Sequence, residues 1–171
     1  MTKDGTPGQR VVEAQGEVAI EQAAVDDLYR RLDELRQRVS RQLARVRRAG
    51  ASGTPQNRSE RDAFATEYER RLAQLWAVEE RVVFGRLDLR SGEVRRIGRI
   101  GLSDDDQRQL LVDWRAAAAQ DFYRATGAVP GEVVRRRHIG MRGRRVVGVE
   151  DEVLDVEQAA HPDRGDTSLV L

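Results

Sequence analysis

Arginine is the residue type through which this chain is best equipped to bind a partner, and the first group of arginines lies between residues 36 and 58. Seven arginines and no acidic residue occur in that segment. Guanidinium groups bind carboxylates and phosphates, so a segment of one sign favours docking to an acidic protein channel or to RNA. The alternative is that these cations only complement the negative end of a helix dipole, an effect that fades within a turn. The candidate partner-binding residues are Arg41, Arg45, Arg47, Arg48 and Arg58.

A second group of arginines follows residue 134. If this segment is a strand, Arg135 and Arg137 share one face, and Arg136 and His138 share the other. Three interpretations are open: neutralisation by the acidic residues between 150 and 155, contact with a nucleic-acid backbone, or part of a partner surface. The candidates for nucleic-acid contact are Arg135, Arg137, Arg142, Arg144 and Arg145.

Other kinds of site find little support in the sequence. The lack of cysteine excludes disulfides and thiolate metal sites and is typical of a reducing cytosol, so we expect a cytoplasmic protein. His138 and His161 are too far apart to predict a metal site, and no serine has the context of a nucleophile elbow. No apolar run approaches the ~20 residues needed to cross a bilayer. Aromatic residues make up 5% of the chain, too few for a nucleic-acid stacking platform. Trp114 is interpreted as a core residue.

The elements that position the first arginines begin with a helical pattern from Glu17 to Arg48. The polar residues 1–16 before it are predicted to be disordered. A Gly- and Pro-containing turn is predicted at residues 49–58. A second helix is predicted from Ser59, which is interpreted as an N-cap with Asp62 in the capping-box position. The first helix carries a heptad seam formed by Val25, Leu28, Leu32, Leu35, Val39 and Val46.

The two helices are predicted to pair antiparallel within one chain. One alignment of the helices brings their apolar positions opposite each other, which favours an intramolecular hairpin, and hence a monomer, over a parallel dimer. The paired arm would be about 36 Å long at 1.5 Å per residue. The predicted pairs are Leu43 with Phe64, Val39 with Tyr68, Leu35 with Leu72, Leu32 with Leu75, and Val25 with Val82.

Strand patterns follow the helices. Residues 82–89 and 94–101 flank one hairpin turn, residues 110–114 form a short apolar strand, and residues 133–141 and 144–149 flank a second turn. Residues 116–124 are compatible with either a helical turn or a loop. The predicted fold class is therefore α+β. A long antiparallel helical hairpin, a coiled coil over residues 17–82, is followed by a small β-rich unit over residues 83–155.

Several segments, taken in order, resemble the N-terminal region of the HelD-type, UvrD-like helicases, which are bacterial motor ATPases that act on RNA polymerase. The first segment resembles the turn between the family's helices, the next two its first β-hairpin, and the last three its most recognisable part. The resemblance covers most of residues 17–171. The segments are Gly53–Asp62, Phe84–Asp88, Arg96–Gly101, Val112–Ala116, Phe122–Tyr123 and Arg135–His138.

The resemblance implies that the helical hairpin enters the secondary channel of RNA polymerase. It also implies that residues 156–171 form a linker toward a helicase core, which would carry the ATP and magnesium sites. Nucleotide-driven movement of that core would help to release stalled polymerase from nucleic acid. The Gly-x-x-x-x-Gly-Lys-Thr phosphate loop is absent from this sequence. We therefore expect the chain itself to be non-catalytic, to bind no cofactor and no metal, and to have RNA polymerase as its partner.

Two features of the sequence differ from those of related proteins, one from the HelD-type family and one from transcript-cleavage factors. Two family prolines are replaced by Ala117 and Asp121, which predicts a less rigid loop. The predicted tip loop has no carboxylate of the kind that transcript-cleavage factors use to hold a metal, which disfavours cleavage chemistry. Two alternative functions stay open. One is an accessory domain of a DNA helicase in which the second group of arginines guides nucleic acid, and the other is a free-standing coiled-coil adaptor.

Overall fold

Two long helices and a six-stranded mixed sheet make up the described part of the computed structural model, which comprises residues 7–49 and 54–155. The predicted α+β class is confirmed. The elements are α1 (Pro7–Arg48), α2 (Pro55–Ala77), β1 (Val83–Leu89), β2 (Val94–Gly98), β3 (Leu102–Ser103), β4 (Gln109–Asp113), a 3-10 turn (Ala117–Ala119), α3 (Gln120–Arg124), β5 (Val133–Arg142) and β6 (Arg145–Val153).

Helix α1 begins at Pro7, ten residues before the predicted start at Glu17. Residues 7–16, predicted as part of a disordered tail, form its first turns, and residues 1–6 lie outside the described residues. Polarity was the basis of the disorder prediction, but the Glu, Gln, Arg and Ala residues of this segment are all good helix formers. Proline is also well placed at a helix start, where its missing N–H costs no intrahelical hydrogen bond.

Helix α2 begins at Pro55, so the predicted N-cap at Ser59 is wrong. Thr54 is the N-cap, and its side chain accepts a hydrogen bond from the backbone N–H of Asn57 at 3.4 Å. A Thr-Pro pair supplies both a capping oxygen and a fixed φ for the first helical residue. Of the predicted turn at 49–58, residues 50–53 lie outside the described residues.

Contacts between α1 and α2 occur in opposite order along the two helices. Arg36 Nη2 donates to the carbonyl of Leu75 at 2.8 Å, and Arg47 pairs with Glu69 at 2.5 Å. Leu32 and Leu75 are fully buried in one apolar cluster, against which Leu35, Tyr68 and Leu72 pack. The predicted pair of Leu43 and Phe64 is not a buried layer, because Phe64 is 58% exposed.

The sheet has the strand order β3-β4-β2-β1-β5-β6. Strands β2 and β4 are parallel, with Ile97 opposite Val112, and the other neighbours are antiparallel. The two predicted hairpin turns are present at Gly92 and Gly143, whose φ angles of 84° and 56° favour glycine. The β3 strand was not predicted, because two residues are too short for a pattern.

Two apolar clusters cover the two faces of the sheet. The first joins α1 and α2 to residues such as Val83, Leu111 and Ile139, and the second joins α3 to residues such as Leu87 and Val112. The register shift near the start of β1 explains why Val83 and Leu87 face opposite sides. The α1 side of the sheet also carries charged residues, and they position the features described next.

Candidate functional site

The far end of α1 carries three arginines that are exposed and unpaired. Arg41, Arg45 and Arg48 make no ion pair with any residue in the described ranges. Arg47 is also exposed but pairs with Glu69. Arg58, at the start of α2, lines a cleft of about 210 Å³ with Arg47. The structure therefore places Arg47 and Arg58 at one cleft, and it shows no ion pair from Arg41, Arg45, Arg48 or Arg58 to the described residues.

The two arginines nearer the sheet behave differently. Arg36 is almost fully buried and pairs with Asp33 at 2.9 Å and with Glu79 at 2.6 Å. Arg38 pairs with Asp105, in the loop after β3, at 3.3 Å. Among residues 12–48 of α1, the arginines that make no ion pair with the described residues therefore all lie beyond residue 38.

Arg137, a candidate for nucleic-acid contact, is fully buried. It pairs with Asp151 and Glu17, each at 2.6 Å, and with Glu21 at 2.9 Å. Arg135, the next candidate on the same face, pairs with Asp88 at 2.5 Å. A nucleic-acid phosphate cannot reach Arg137, so this candidate is corrected: its charge is used inside the protein.

Among the remaining candidates, Arg144 pairs with Asp33 and Glu79, each at 2.7 Å, and lies over the Tyr29 ring. Arg142 and Arg145 are exposed and make no ion pair within the described part of the chain. Neutralisation by the acidic β6 strand was one of the open interpretations, and β6 does supply partners for Arg135, Arg136 and Arg137. The other acidic partners come from α1, from Asp88 of β1 and from Glu79 in the turn after α2.

The prediction from strand alternation is confirmed at this hairpin. Arg135 and Arg137 face the α1 side, where their acidic partners lie. Arg136 faces α3 and donates to the carbonyls of Phe122 and Ala125 at 2.7 and 3.1 Å. The His138 ring packs edge-on against Phe122 on that same side, which leaves His138 in an aromatic cluster.

Glu21 is the functional-looking residue that the sequence reasoning missed. It is fully buried, and its carboxylate accepts hydrogen bonds from Arg86 at 2.6 Å, Arg137 at 2.9 Å and Arg96 at 3.1 Å. These arginines come from β1, β5 and β2, so one carboxylate ties α1 to three strands. The sequence does contain a signal, because Glu21 lies one heptad before the seam residue Leu28, at a position where an apolar residue is expected.

The charges of this network are mutually satisfied. Burial by itself would raise the pKa of Glu21, but the hydrogen bond from Arg86 and the charges of Arg96 and Arg86 lower it below its ordinary value. The hydrogen bond that Arg137 donates to the Asp151 carboxylate is the main reason that the pKa of Arg137 is raised further above its already high value. A carboxylate held ionised among three cations is suited to anchoring a helix rather than to accepting a proton.

A second network fixes the other end of the contact between helices and sheet. The Tyr29 hydroxyl donates to the Glu79 carbonyl at 2.6 Å, and Arg144 bridges Asp33 and Glu79. The pKa of Glu79 is lowered, first by its hydrogen bond from Arg144. This network joins α1, the turn after α2 and the β5–β6 turn, so the helical arm is held at two points.

One of the two tryptophans, Trp114, differs from the prediction. Trp114, predicted in the core, is 46% exposed. It follows the last residue of β4, and its backbone N–H donates to the Gly98 carbonyl at 2.9 Å. Trp76 is 54% exposed and packs against Arg36.

The described residues include no cluster of three or more metal-binding side chains, and no described helix is apolar over a length that could cross a membrane.

Comparison with known proteins assigns the family. None of the curated proteins compared with the chain matches it. A family model described as the N-terminal domain of DNA helicase IV HelD matches residues 18–165, from within α1 to beyond β6. The predicted resemblance is therefore confirmed over most of the chain. With its two helices anchored to a six-stranded sheet, this chain belongs to the family of HelD N-terminal domains.

Proposed function

We propose that this chain is the segment of a HelD-type helicase that engages RNA polymerase, with α1 and α2 forming an antiparallel coiled-coil arm that enters the secondary channel. The observation that carries the proposal is a set of exposed arginines at the far end of α1 that make no ion pair with the described residues, namely Arg41, Arg45 and Arg48. The family resemblance indicates RNA polymerase as the partner, and the positive charge of the arginines would attract an acidic surface of that partner.

The geometry of the arm supports this role. Arg38 is the last residue of α1 with an ion pair to the sheet unit among the described residues. From there to Arg48 the helix extends about 15 Å at 1.5 Å per residue. Unpaired charges at the leading end of a projecting element accelerate association with an oppositely charged surface, and they contribute less to the final affinity.

The chain acts in this proposal without catalysis of its own. Its sequence contains no Gly-x-x-x-x-Gly-Lys-Thr segment to hold the phosphates of ATP. Residues 1–171 should neither bind nor hydrolyse ATP. Calorimetric titration with MgATP is the measurement, and saturable binding in the micromolar range would contradict this part of the proposal.

The test of polymerase engagement is a triple charge reversal, Arg41→Glu, Arg45→Glu and Arg48→Glu. Association of the purified chain with RNA polymerase of the same organism is measured at several salt concentrations. We expect the association rate of the variant to fall by at least about tenfold and to lose most of its salt dependence. These positions are exposed, so circular dichroism should show an intact fold.

A matched control reverses three exposed arginines on the sheet unit, Arg124, Arg142 and Arg145, which also make no ion pair with the described residues. The net charge changes by the same amount, so this variant should keep most of the association rate. Equal slowing by both variants would show that only net charge matters. Unchanged binding by the first variant would refute the role of the arm arginines.

The two alternative functions have less support. The accessory-domain hypothesis relied on five arginines near the β5–β6 turn, of which Arg135, Arg137 and Arg144 are engaged in ion pairs. The adaptor hypothesis requires a seam that is free for another chain, but the seam residues Val25, Leu28 and Leu32 are buried within this one. A mass that rises with protein concentration in analytical ultracentrifugation would favour the adaptor.

A further inference from the structure

We propose that the cleft where α2 meets β1 binds single-stranded nucleic acid, with one base stacked on Trp76 and the flanking phosphates held by Arg81 and Arg99. This site is separate from the arm arginines and goes beyond the proposed engagement of polymerase. The cleft has a volume of about 560 Å³. Its lining residues are Trp76, Ala77, Glu79, Glu80, Arg81 and Arg99.

Trp76 is an aromatic ring with one face held by the protein and the other accessible. The Arg36 guanidinium lies 3.9 Å from the ring centroid. Arg36 is itself fixed, because it pairs with Glu79 and donates to the Leu75 carbonyl. The ring nonetheless remains 54% exposed. An indole held in place by a buried cation loses little conformational entropy when a planar ligand stacks on its open side.

The charges around Trp76 favour an anion next to that planar ligand. Glu79 is neutralised by Arg36 and Arg144. Arg81 and Arg99 are exposed and make no ion pair with any residue that the structure describes, while Glu80 is the single unpaired acid of the lining.

The backbones of the two free arginines are fixed close together. Arg81 N–H donates to the Val78 carbonyl at 3.3 Å, and Arg99 N–H donates to the Val82 carbonyl at 3.2 Å. Both guanidinium groups therefore extend from ordered backbone near Val82, since Arg81 precedes this residue in the chain and Arg99 is hydrogen-bonded to it. Guanidinium groups hold phosphates through paired hydrogen bonds, so two of them beside an aromatic ring match a short nucleotide segment.

A single strand fits this arrangement better than a duplex does. Stacking on Trp76 needs an exposed base face, and in a duplex each face is covered by the neighbouring base pair. The low aromatic content argued against a platform that stacks several bases, but one base requires only one ring. The predicted ligand is thus a few nucleotides of single-stranded DNA or RNA, bound with a strong dependence on salt.

The experiment measures fluorescence anisotropy of a labelled oligodeoxythymidylate of about ten nucleotides, within the range of ~4–16 that one small domain covers. Trp76→Ala should weaken its affinity at least about fivefold, and Trp76→Phe should retain part of it because an aromatic face remains. Arg81→Ala with Arg99→Ala should weaken affinity and lower the slope of log affinity against log salt by roughly 1.4, about 0.7 for each lost phosphate contact.

Two matched controls use residues outside the cleft lining. Trp114→Ala removes the other exposed tryptophan, and Arg142→Ala with Arg145→Ala removes two exposed arginines that make no ion pair with the described residues. Both controls should bind the oligonucleotide as the unaltered chain does. If the control variants weaken binding as much as the cleft variants, or if the unaltered chain does not bind at low salt, the proposal is overturned.

A second measurement does not depend on the stability of Trp76→Ala. In Trp114→Phe, Trp76 is the one remaining tryptophan, since the chain has two. Stacking of a base should quench its fluorescence on addition of the oligonucleotide, while the same sequence as a duplex should quench much less. Quenching by RNA polymerase but not by the oligonucleotide would assign the cleft to a protein partner and reject a nucleic-acid site. The triple arm variant should still show the oligonucleotide quenching, which separates this site from the proposed function.

Discussion

Replacing Glu21 by glutamine tests whether a buried charge network holds the helical arm on the sheet. The change keeps the size of the side chain and removes one negative charge. In the structure, the Glu21 carboxylate receives hydrogen bonds from Arg86, Arg96 and Arg137 at 2.6 to 3.1 Å. The amide nitrogen of glutamine is a donor and faces at least one guanidinium donor, so one contact becomes repulsive.

The expected cost follows from what remains in the site. Removing one partner of a buried ion pair costs about 3–5 kcal/mol, because the other charge is left uncompensated. Here Arg137 keeps Asp151 and Glu17, and Arg86 keeps Asp88. Arg96 makes no other ion pair with the described residues, but its side chain is partly exposed, so water can solvate its charge. The loss should therefore fall at the lower end, about 3 kcal/mol of unfolding free energy.

The assay is urea unfolding followed by circular dichroism at neutral pH, with Glu80→Gln as the matched control. Glu80 is exposed and makes no ion pair with the described residues. A surface change of this kind should stay within about 0.5 kcal/mol of the unaltered protein. If Glu21→Gln is as stable as Glu80→Gln, the network does not hold α1 on the sheet, and the apolar cluster alone must do so.

Three further expectations concern stability. Leu32→Ala removes a fully buried side chain and should lower the free energy of unfolding by about 2–5 kcal/mol. Phe64→Ala, at a 58% exposed position, should lower it by under about 1 kcal/mol. Similar losses in the two variants would mean that Leu32 does not lie in a buried apolar cluster. Gly85→Ala places a Cβ atom within 2.4 Å of the Phe122 ring. It should lower the free energy of unfolding by about 1–3 kcal/mol in the same assay. An unchanged urea midpoint would show that the ring moves freely. Because the folded-state pKa of Glu21 lies below its ordinary 4.5, its contribution is complete above that pH and is lost on acidification. Urea unfolding between pH 5 and pH 3 should therefore show the difference between the unaltered chain and Glu21→Gln shrinking.

The local sequence determined which elements form and which residues face each other across short distances. The seam residues of α1, the strand patterns and the turns at Gly92 and Gly143 reflect backbone preferences and periodicities that act within a few residues. The alternation of Arg135 with Arg136 follows from the same rule. The motifs spread along the chain were sufficient to indicate the HelD family, which the match over residues 18–165 confirmed.

The tertiary structure alone decided which charges are free. Arg137 and Arg142 lie five residues apart in one strand, yet the first is buried among acids from α1 and β6 while the second is exposed. The partners of Arg137 include Glu21, which is 116 residues away along the chain. Such pairings depend on how α1 crosses the sheet, and no local pattern specifies that crossing. For the same reason, the apolar character of Trp114 predicts a core position, although its place beyond the end of β4 leaves it at the surface.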